Sequence, residues 1–405
     1  MEGAVEGVQT PAVELHAVPD AVKPPPGNPR FPLVDGVRAI AVVMVVGIHA
    51  AGASVVQGKW WSPFAARLDI GVTVFFVLSG FLLYRPYVAA RLGDTPRVSV
   101  GGYARRRALR ILPAYWLALT LLAIYPGLGG VFTHDWWVYF GFLQIYNHAW
   151  INFYQGINQA WSLCVEVTFY AALPLLAALV ARLPARGRRE MVRNEAVLLG
   201  ALTVASLIFR IVLGANAPDS EWVATLPAIF GWFAIGMALA IASAALHGRA
   251  EQPRAVRAIA HRPALCWLAA LACFLFTSEV GKSVLIVPGN ARPRAIVEYV
   301  LYGIVSALIV VPAIFGDGRT GAPRRVLSHP IVAWTGLVSY GVFLWHLNVI
   351  AKLRDWGVSG FVPVFFAGLA MSVAIAAVSY YLVERPLLHF KDGFRRPKPA
   401  TSRVS

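Results

Sequence analysis

A chain of 405 residues with 58% hydrophobic and only 14% charged positions is neither disordered nor composed like a soluble domain, in which about a quarter of residues are charged. Its 36 Lys and Arg against 20 Asp and Glu give a formal +16, a surplus that in a soluble chain would suggest nucleic acid as a partner. With a mean hydropathy of +0.62 the composition instead predicts an all-α, polytopic membrane protein, so the placement of the charges matters more than their sum.

Residues 1–30 are rich in Pro, Ala and Val, include Pro24-Pro25-Pro26, and carry acidic groups where a signal peptide needs basic ones. They are expected to form a disordered cytoplasmic tail, followed by a membrane domain over 31–387 and a basic cytoplasmic tail over 388–405. A hydrocarbon core about 30 Å thick needs roughly 20 apolar residues per helix. Ten runs approach that length: Val37–Ser54, Gly71–Ala90, Leu109–Pro126, Trp161–Ala181, Ala196–Gly214, Trp222–Leu246, Ala264–Val280, Ala295–Phe315, Val332–Ala351 and Val362–Val383. The seventh is short and interrupted. Cys164, Cys266 and Cys273 all fall in apolar stretches without metal-ligand spacing, so neither a disulfide framework nor a metal site is expected.

Ten spans put both termini on one side, and Lys and Arg mark that side as cytoplasmic. Arg91, Arg97 and Arg105-Arg106-Arg107 follow the second span, Arg182, Arg186, Arg188, Arg189 and Arg193 the fourth, and Arg319, Arg324 and Arg325 the eighth. The opposite segment from Gly127 to Ala160 has no Lys or Arg. Topology and anionic lipid therefore account for the net charge, and nucleic acid is set aside as a partner. That outer segment contains His134, Trp136, Trp137, Tyr139, Tyr146, His148, Trp150 and Tyr154. Such aromatic density suits an interfacial belt, with stacking against sugar rings as the functional alternative.

Ionisable groups inside spans are costly and are candidates for function. Arg38 and His49 are eleven residues apart in the first span, which brings them within about 20° of one helix face and about 16 Å apart along it. Counting from span ends places His49, Ser79, Glu166 and His346 in one layer of the outer half, a possible shared polar pocket. Each has a plainer reading. His346 and His49 can be packing residues, Ser79-Gly80 a close helix contact, and Glu166 the partner of an intramembrane cation such as Arg210. Arg107 and Arg110 have the spacing that puts two guanidinium groups on one helix face, a match for phosphate oxygens on a cytosolic substrate.

These residues fall in ordered motifs. They are Phe31-Pro32-Leu33-Val34-Asp35-Gly36-Val37-Arg38 ending at His49, Phe75-Phe76-Val77-Leu78-Ser79-Gly80-Phe81-Leu82, Arg107 to Trp116, Trp161-Ser162-Leu163-Cys164-Val165-Glu166, Ser339-Tyr340 with Leu344-Trp345-His346, and Tyr381 with Glu384-Arg385-Pro386. In this order they resemble the membrane acyltransferase-3 family of bacterial O-acyltransferases, over nearly the whole chain. Val167 and Leu347-Asn348 depart from it, where the family often has a second acidic residue and a proline. The likeness is to the standalone form, without the extra extracytoplasmic domain that some members carry.

The resemblance implies transfer of a short acyl group from cytosolic acyl-coenzyme A to a hydroxyl of an envelope glycan, glycolipid or sugar-bearing metabolite, in the bacterial cytoplasmic membrane. A sugar hydroxyl needs a general base, and histidine suits that task. His49 is the candidate base, oriented by Glu166, with Arg38 guiding the donor. Arg107 and Arg110 would hold the coenzyme's phosphates, and Ser79 or Trp345, beside His346, would face the developing oxyanion. No resident cofactor or metal is expected. The expected partners are acyl-coenzyme A, the carbohydrate acceptor and membrane lipid; oligomeric state and the choice between direct transfer and an acyl-enzyme are left open. The competing reading is a proton-coupled exporter or lipid flippase using His49 and Glu166 as a relay, although no half-to-half repeat is apparent.

Overall fold

The computed structural model describes residues 31–54, 58–146, 155–216, 221–247, 251–280, 293–316 and 320–392. The expected N-terminal tail, residues 393–405 of the expected basic C-terminal tail, and His148, Trp150 and Tyr154 lie outside them. The described residues form helices and no strand, as backbone without water requires when it cannot close a barrel. The principal helices are α1 (Val34–Ala53), α2 (Ile70–Arg91), α3 (Val100–Leu122), α4 (Trp161–Ala181), α5 (Arg188–Asn216) and α6 (Leu226–Ala245). They continue with α7 (Arg254–His261), α8 (Pro263–Val280), α9 (Pro293–Ile314), α10 (Pro330–Leu337), α11 (Ser339–Asp355) and α12 (Phe361–Ser379).

Among the described residues eight helices are long and apolar enough to cross a bilayer, or ten if two bent pairs each count as one span. The chain is thus a polytopic membrane protein. The bent pairs bear differently on two expected spans: the seventh, Ala264–Val280, matches α8 and gains a short helix before it, whereas the ninth is corrected. Helix α7, with Arg254, Arg257 and His261, meets α8 at 90°, and α10 meets α11 at 74°. The expected continuous span Val332–Ala351 is therefore broken at Val338. Pro330 opens α10, and Gly336 lets it cross the start of α1, where a side chain would strike the Asp35 backbone.

Helices α1, α2 and α6 form the centre, while only 11% of the apolar window of α5 is buried inside the protein. A close crossing joins α2 to α6. A Cβ on Gly80 would collide with the Phe233 carbonyl, and one on Gly236 with the Val77 carbonyl and Phe81 amide. Aromatic stacking of Phe233 on Phe169 of α4, with ring centroids 4.2 Å apart, extends this core.

The segment after α3 is a folded cap rather than a uniform belt. Tyr115 donates to the Tyr139 carbonyl at 2.8 Å, Trp116 to the Phe140 carbonyl at 3.0 Å, and Tyr139 to Gln155 Oε1 at 2.8 Å. Tyr139 is thereby buried, whereas Trp136 and Trp137 remain exposed. Tyr146 also turns inward, its hydroxyl 2.7 Å from Thr168 Oγ1.

Candidate active site

The site begins with where α2 starts. Gly71 abuts Ala41, Met44 and Val45, so the first turn of α2 is level with the middle of α1. Ser79 lies eight residues further along, about 12 Å, which brings it to the Arg38 end of α1. Counting from span ends assumed that all spans start in one plane; they do not, and the single layer of four polar residues separates into two.

The first layer surrounds a solvent-open cavity of about 110 Å³ between α1, α2, α3, α4 and α11. Arg38, Ser79, Arg107, Arg110, Glu166, Tyr170, Ser339 and Tyr340 supply its polar wall, and Val72, Phe75, Phe76, Leu163 and Phe343 its apolar wall. Helix α3 begins at Val100, nine residues before the expected span, so the basic cluster is helical and Arg107 and Arg110 do share a face. Arg38 donates to Asp35 Oδ1 at 2.7 Å, and Arg110 stands 4.0 Å from Glu384 Oε2. Arg38 and Arg110 remain 28% and 22% exposed, which places them at a mouth rather than in the core.

Glu166 is held from two sides, by Ser79 Oγ at 2.8 Å and by the Tyr170 hydroxyl at 2.6 Å. Neither bond involves His49, so the structure does not bring Glu166 to the imidazole it was expected to orient. Nor does it pair Glu166 with Arg210, whose guanidinium lies 4.5 Å from the ring centre of Tyr299. Tyr170 was missed by sequence reasoning, although its position one helical turn after Glu166 was a usable signal.

The second layer holds His49 and His346, with His49 about 16 Å along α1 from Arg38. His49 Nδ1 lies 2.8 Å from the Val45 carbonyl and 3.1 Å from His346 Nε2. His346 Nδ1 in turn lies 2.8 Å from the Phe343 carbonyl and 3.2 Å from that of Val342. His346 is fully buried while His49 is half-buried, and neither lines the cavity. Trp345 is buried in the same turn, its indole N–H without an acceptor among the described residues. Phe343 and Gln159 connect the layers. Phe343 lines the cavity, and Gln159 Nε2, just before α4, donates to the Phe343 and Leu344 carbonyls at 3.1 and 2.9 Å.

Three guanidinium groups line the first layer with Glu166, two of them also beside Asp35 and Glu384, and such planar forks suit a phosphate-like anion. The break at Val338 brings the start of α11, with Ser339 and Tyr340, into the wall. Broken helices at membrane depth belong where backbone lines a cavity, as here.

A family model described as an acyltransferase domain matches residues 31–381. The peptidoglycan O-acetyltransferase OatA of Listeria monocytogenes is 24% identical over 381 residues, covering 90% of this chain and 56% of OatA. Bacillus subtilis YrhL, provisionally named for the same activity, is 25% identical over 395 residues, 90% of this chain and 56% of its own. A Staphylococcus aureus protein provisionally named an O-acetyltransferase is 22% identical, covering 90% and 58%. The chain thus spans little more than half the length of these curated relatives. No solved structure matches it.

Proposed function

We propose, because this chain belongs to the acyltransferase-3 family, that it is a membrane O-acyltransferase moving a short acyl group from cytosolic acyl-coenzyme A to a carbohydrate hydroxyl outside the bacterial cytoplasmic membrane. The observation that carries this reading is the cavity in which Arg38, Arg107 and Arg110 face the single wall carboxylate of Glu166. Phosphates suit that mouth, since guanidinium forks favour them. From there an arm as long and slender as pantetheine would pass Phe75, Phe76 and Phe343 towards the histidine layer.

At that layer His49 Nε2 takes the proton of the acceptor hydroxyl as its oxygen attacks the thioester carbonyl. The C–O bond forms, the C–S bond breaks, and the proton passes from the imidazolium to the departing coenzyme sulfur. Trp345, whose N–H has no acceptor among the described residues, is the donor available for the oxyanion, whereas the Ser79 hydroxyl is engaged with Glu166. Glu166, fixed by Ser79 and Tyr170, limits the positive charge of the mouth and offers an acceptor to the amides of the donor arm. The name of the Listeria relative makes a peptidoglycan sugar the first acceptor to test; glycolipids and sugar-bearing metabolites follow.

The test is donor binding and turnover by the protein in lipid nanodiscs, with acetyl-coenzyme A and succinyl-coenzyme A. Saturable binding, and thiol release that depends on an added glycan acceptor, are expected. A folded protein that binds no acyl-coenzyme A refutes the proposal. Mass spectrometry of envelope glycans from cells with and without the chain then names the acyl group and acceptor.

A further inference from the structure

We propose that His346 is a positioning residue for His49, holding its ring so that Nδ1 carries the proton and Nε2 presents the lone pair. The inference rests on the acyl-transfer reading for its consequence and on hydrogen-bond geometry for its content. Backbone carbonyls only accept. His346 Nδ1, 2.8 Å from the Phe343 carbonyl and 3.2 Å from that of Val342, must therefore carry its ring's N–H. A neutral ring has one such proton, so His346 Nε2 is an acceptor. His49 Nδ1 then faces two acceptors, the Val45 carbonyl at 2.8 Å and His346 Nε2 at 3.1 Å, and both bonds require a proton on Nδ1. One arrangement of the neutral pair satisfies all four contacts, and it leaves His49 Nε2 as the basic atom.

The burial pattern gives the two rings unequal roles. His346 is closed to solvent and cannot meet a substrate, whereas His49 is half-buried and can. The support also extends one residue further back, because Gln159 donates to the same Phe343 carbonyl that anchors His346. When His49 Nε2 takes a proton, His346 Nε2 and the Val45 carbonyl share the charge through Nδ1–H. That is the part a buried acceptor plays behind a catalytic imidazole in hydrolase triads.

Two substitutions of similar size separate this role from packing. His346→Gln keeps an oxygen near the position of Nε2, while His346→Asn keeps a donor near Nδ1 but does not reach His49. In nanodiscs His346→Gln is expected to retain at least about a fifth of wild-type kcat. His346→Asn is expected to lose at least tenfold in kcat, with KM for acyl-coenzyme A changed by less than about twofold. Wild-type kcat in His346→Asn, or equal losses in two folded variants, overturns the proposal. The ¹⁵N spectrum of histidine-labelled wild-type protein gives a readout independent of activity. Two Nδ1–H tautomers are expected, assigned by their disappearance in His49→Gln and His346→Gln. A protonated Nε2 on His49 overturns the pairing whatever the activity; the expected spectrum from a protein inert towards acyl-coenzyme A overturns the acyl-transfer reading instead.

Discussion

His49 and Glu166 occupy different layers, and this separation governs how their losses should combine. His49→Ala removes the proposed base, so acyl transfer should fall by roughly 10²–10⁴-fold while acyl-coenzyme A still binds. Glu166→Gln leaves an amide between Ser79 and Tyr170 and should disturb the donor mouth instead. Because their partners are separate, the free-energy losses should add in the double variant, as they do for sites without shared contacts. A double variant no worse than His49→Ala would show a coupling that this geometry does not contain. The arginines invite a related comparison. Arg107→Gln should raise KM for the donor more than it lowers kcat, by an amount consistent with about 1.5–3 kcal/mol for a charge-assisted contact. Arg110→Gln should do the same and also lower thermal stability, because it leaves the buried Glu384 carboxylate, neither of whose oxygens has a hydrogen bond among the described residues, without its nearby cation. Adding Glu384→Gln should restore stability without restoring donor affinity, as measured by thermal unfolding and binding titration.

Among the helices, the sequence spoke clearly wherever a span is a straight apolar run, and α1, α4 and α6 begin and end within a few residues of expectation. It spoke poorly where a helix end is set by another helix. The early start of α3 places Arg105-Arg106-Arg107 on a helix, which no hydropathy window admits because those turns are too polar. The break at Val338 depends on α10 crossing the Asp35 backbone, and the low start of α2 depends on Gly71 meeting α1; neither contact has a local signature. The same limit explains the split site. His49, Arg38, Ser79, Glu166 and His346 were legible as intramembrane polar residues, but their grouping is a matter of relative helix height. Glycine at the α2–α6 crossing is a firm packing constraint, and it was half legible: Gly80 packs helices while its neighbour Ser79 serves Glu166. Gly236→Val should cost more than the usual 1–3 kcal/mol of an overpacked core, because the obstacle is backbone that cannot rotate away. Gly200→Val on α5, where nothing lies within 4 Å, should leave the unfolding temperature unchanged.

For the whole molecule, the arginines that signal topology also brace one end of the bundle. Arg91 bonds to the Val180 and Met191 carbonyls and to Glu195, tying the ends of α2, α4 and α5 together. Arg188 reaches Asp94 at 2.9 and 3.1 Å and also the Leu92 and Ala244 carbonyls. Arg324, fully buried, donates to the Pro312, Phe315 and Ala260 carbonyls. Cations that cap the carbonyl ends of helices are favourable on either side of a membrane, so these contacts do not by themselves orient the chain. The proposed orientation rests instead on the contrast with the segment from Gly127 to Ala160, which has no Lys or Arg. A cysteine at exposed Gly187 should therefore react with a membrane-impermeant maleimide only after the inner membrane is opened, and one at exposed Gly129 in cells with that membrane intact. The arginine mouth and the Gly187 loop follow the second and fourth spans on the same face, so the result bears directly on the donor. Labelling of Gly187→Cys with the membrane intact would put Arg38, Arg107 and Arg110 on the side that holds no cytosolic acyl-coenzyme A, and would remove the donor route even if the cavity and the histidine pair were as described.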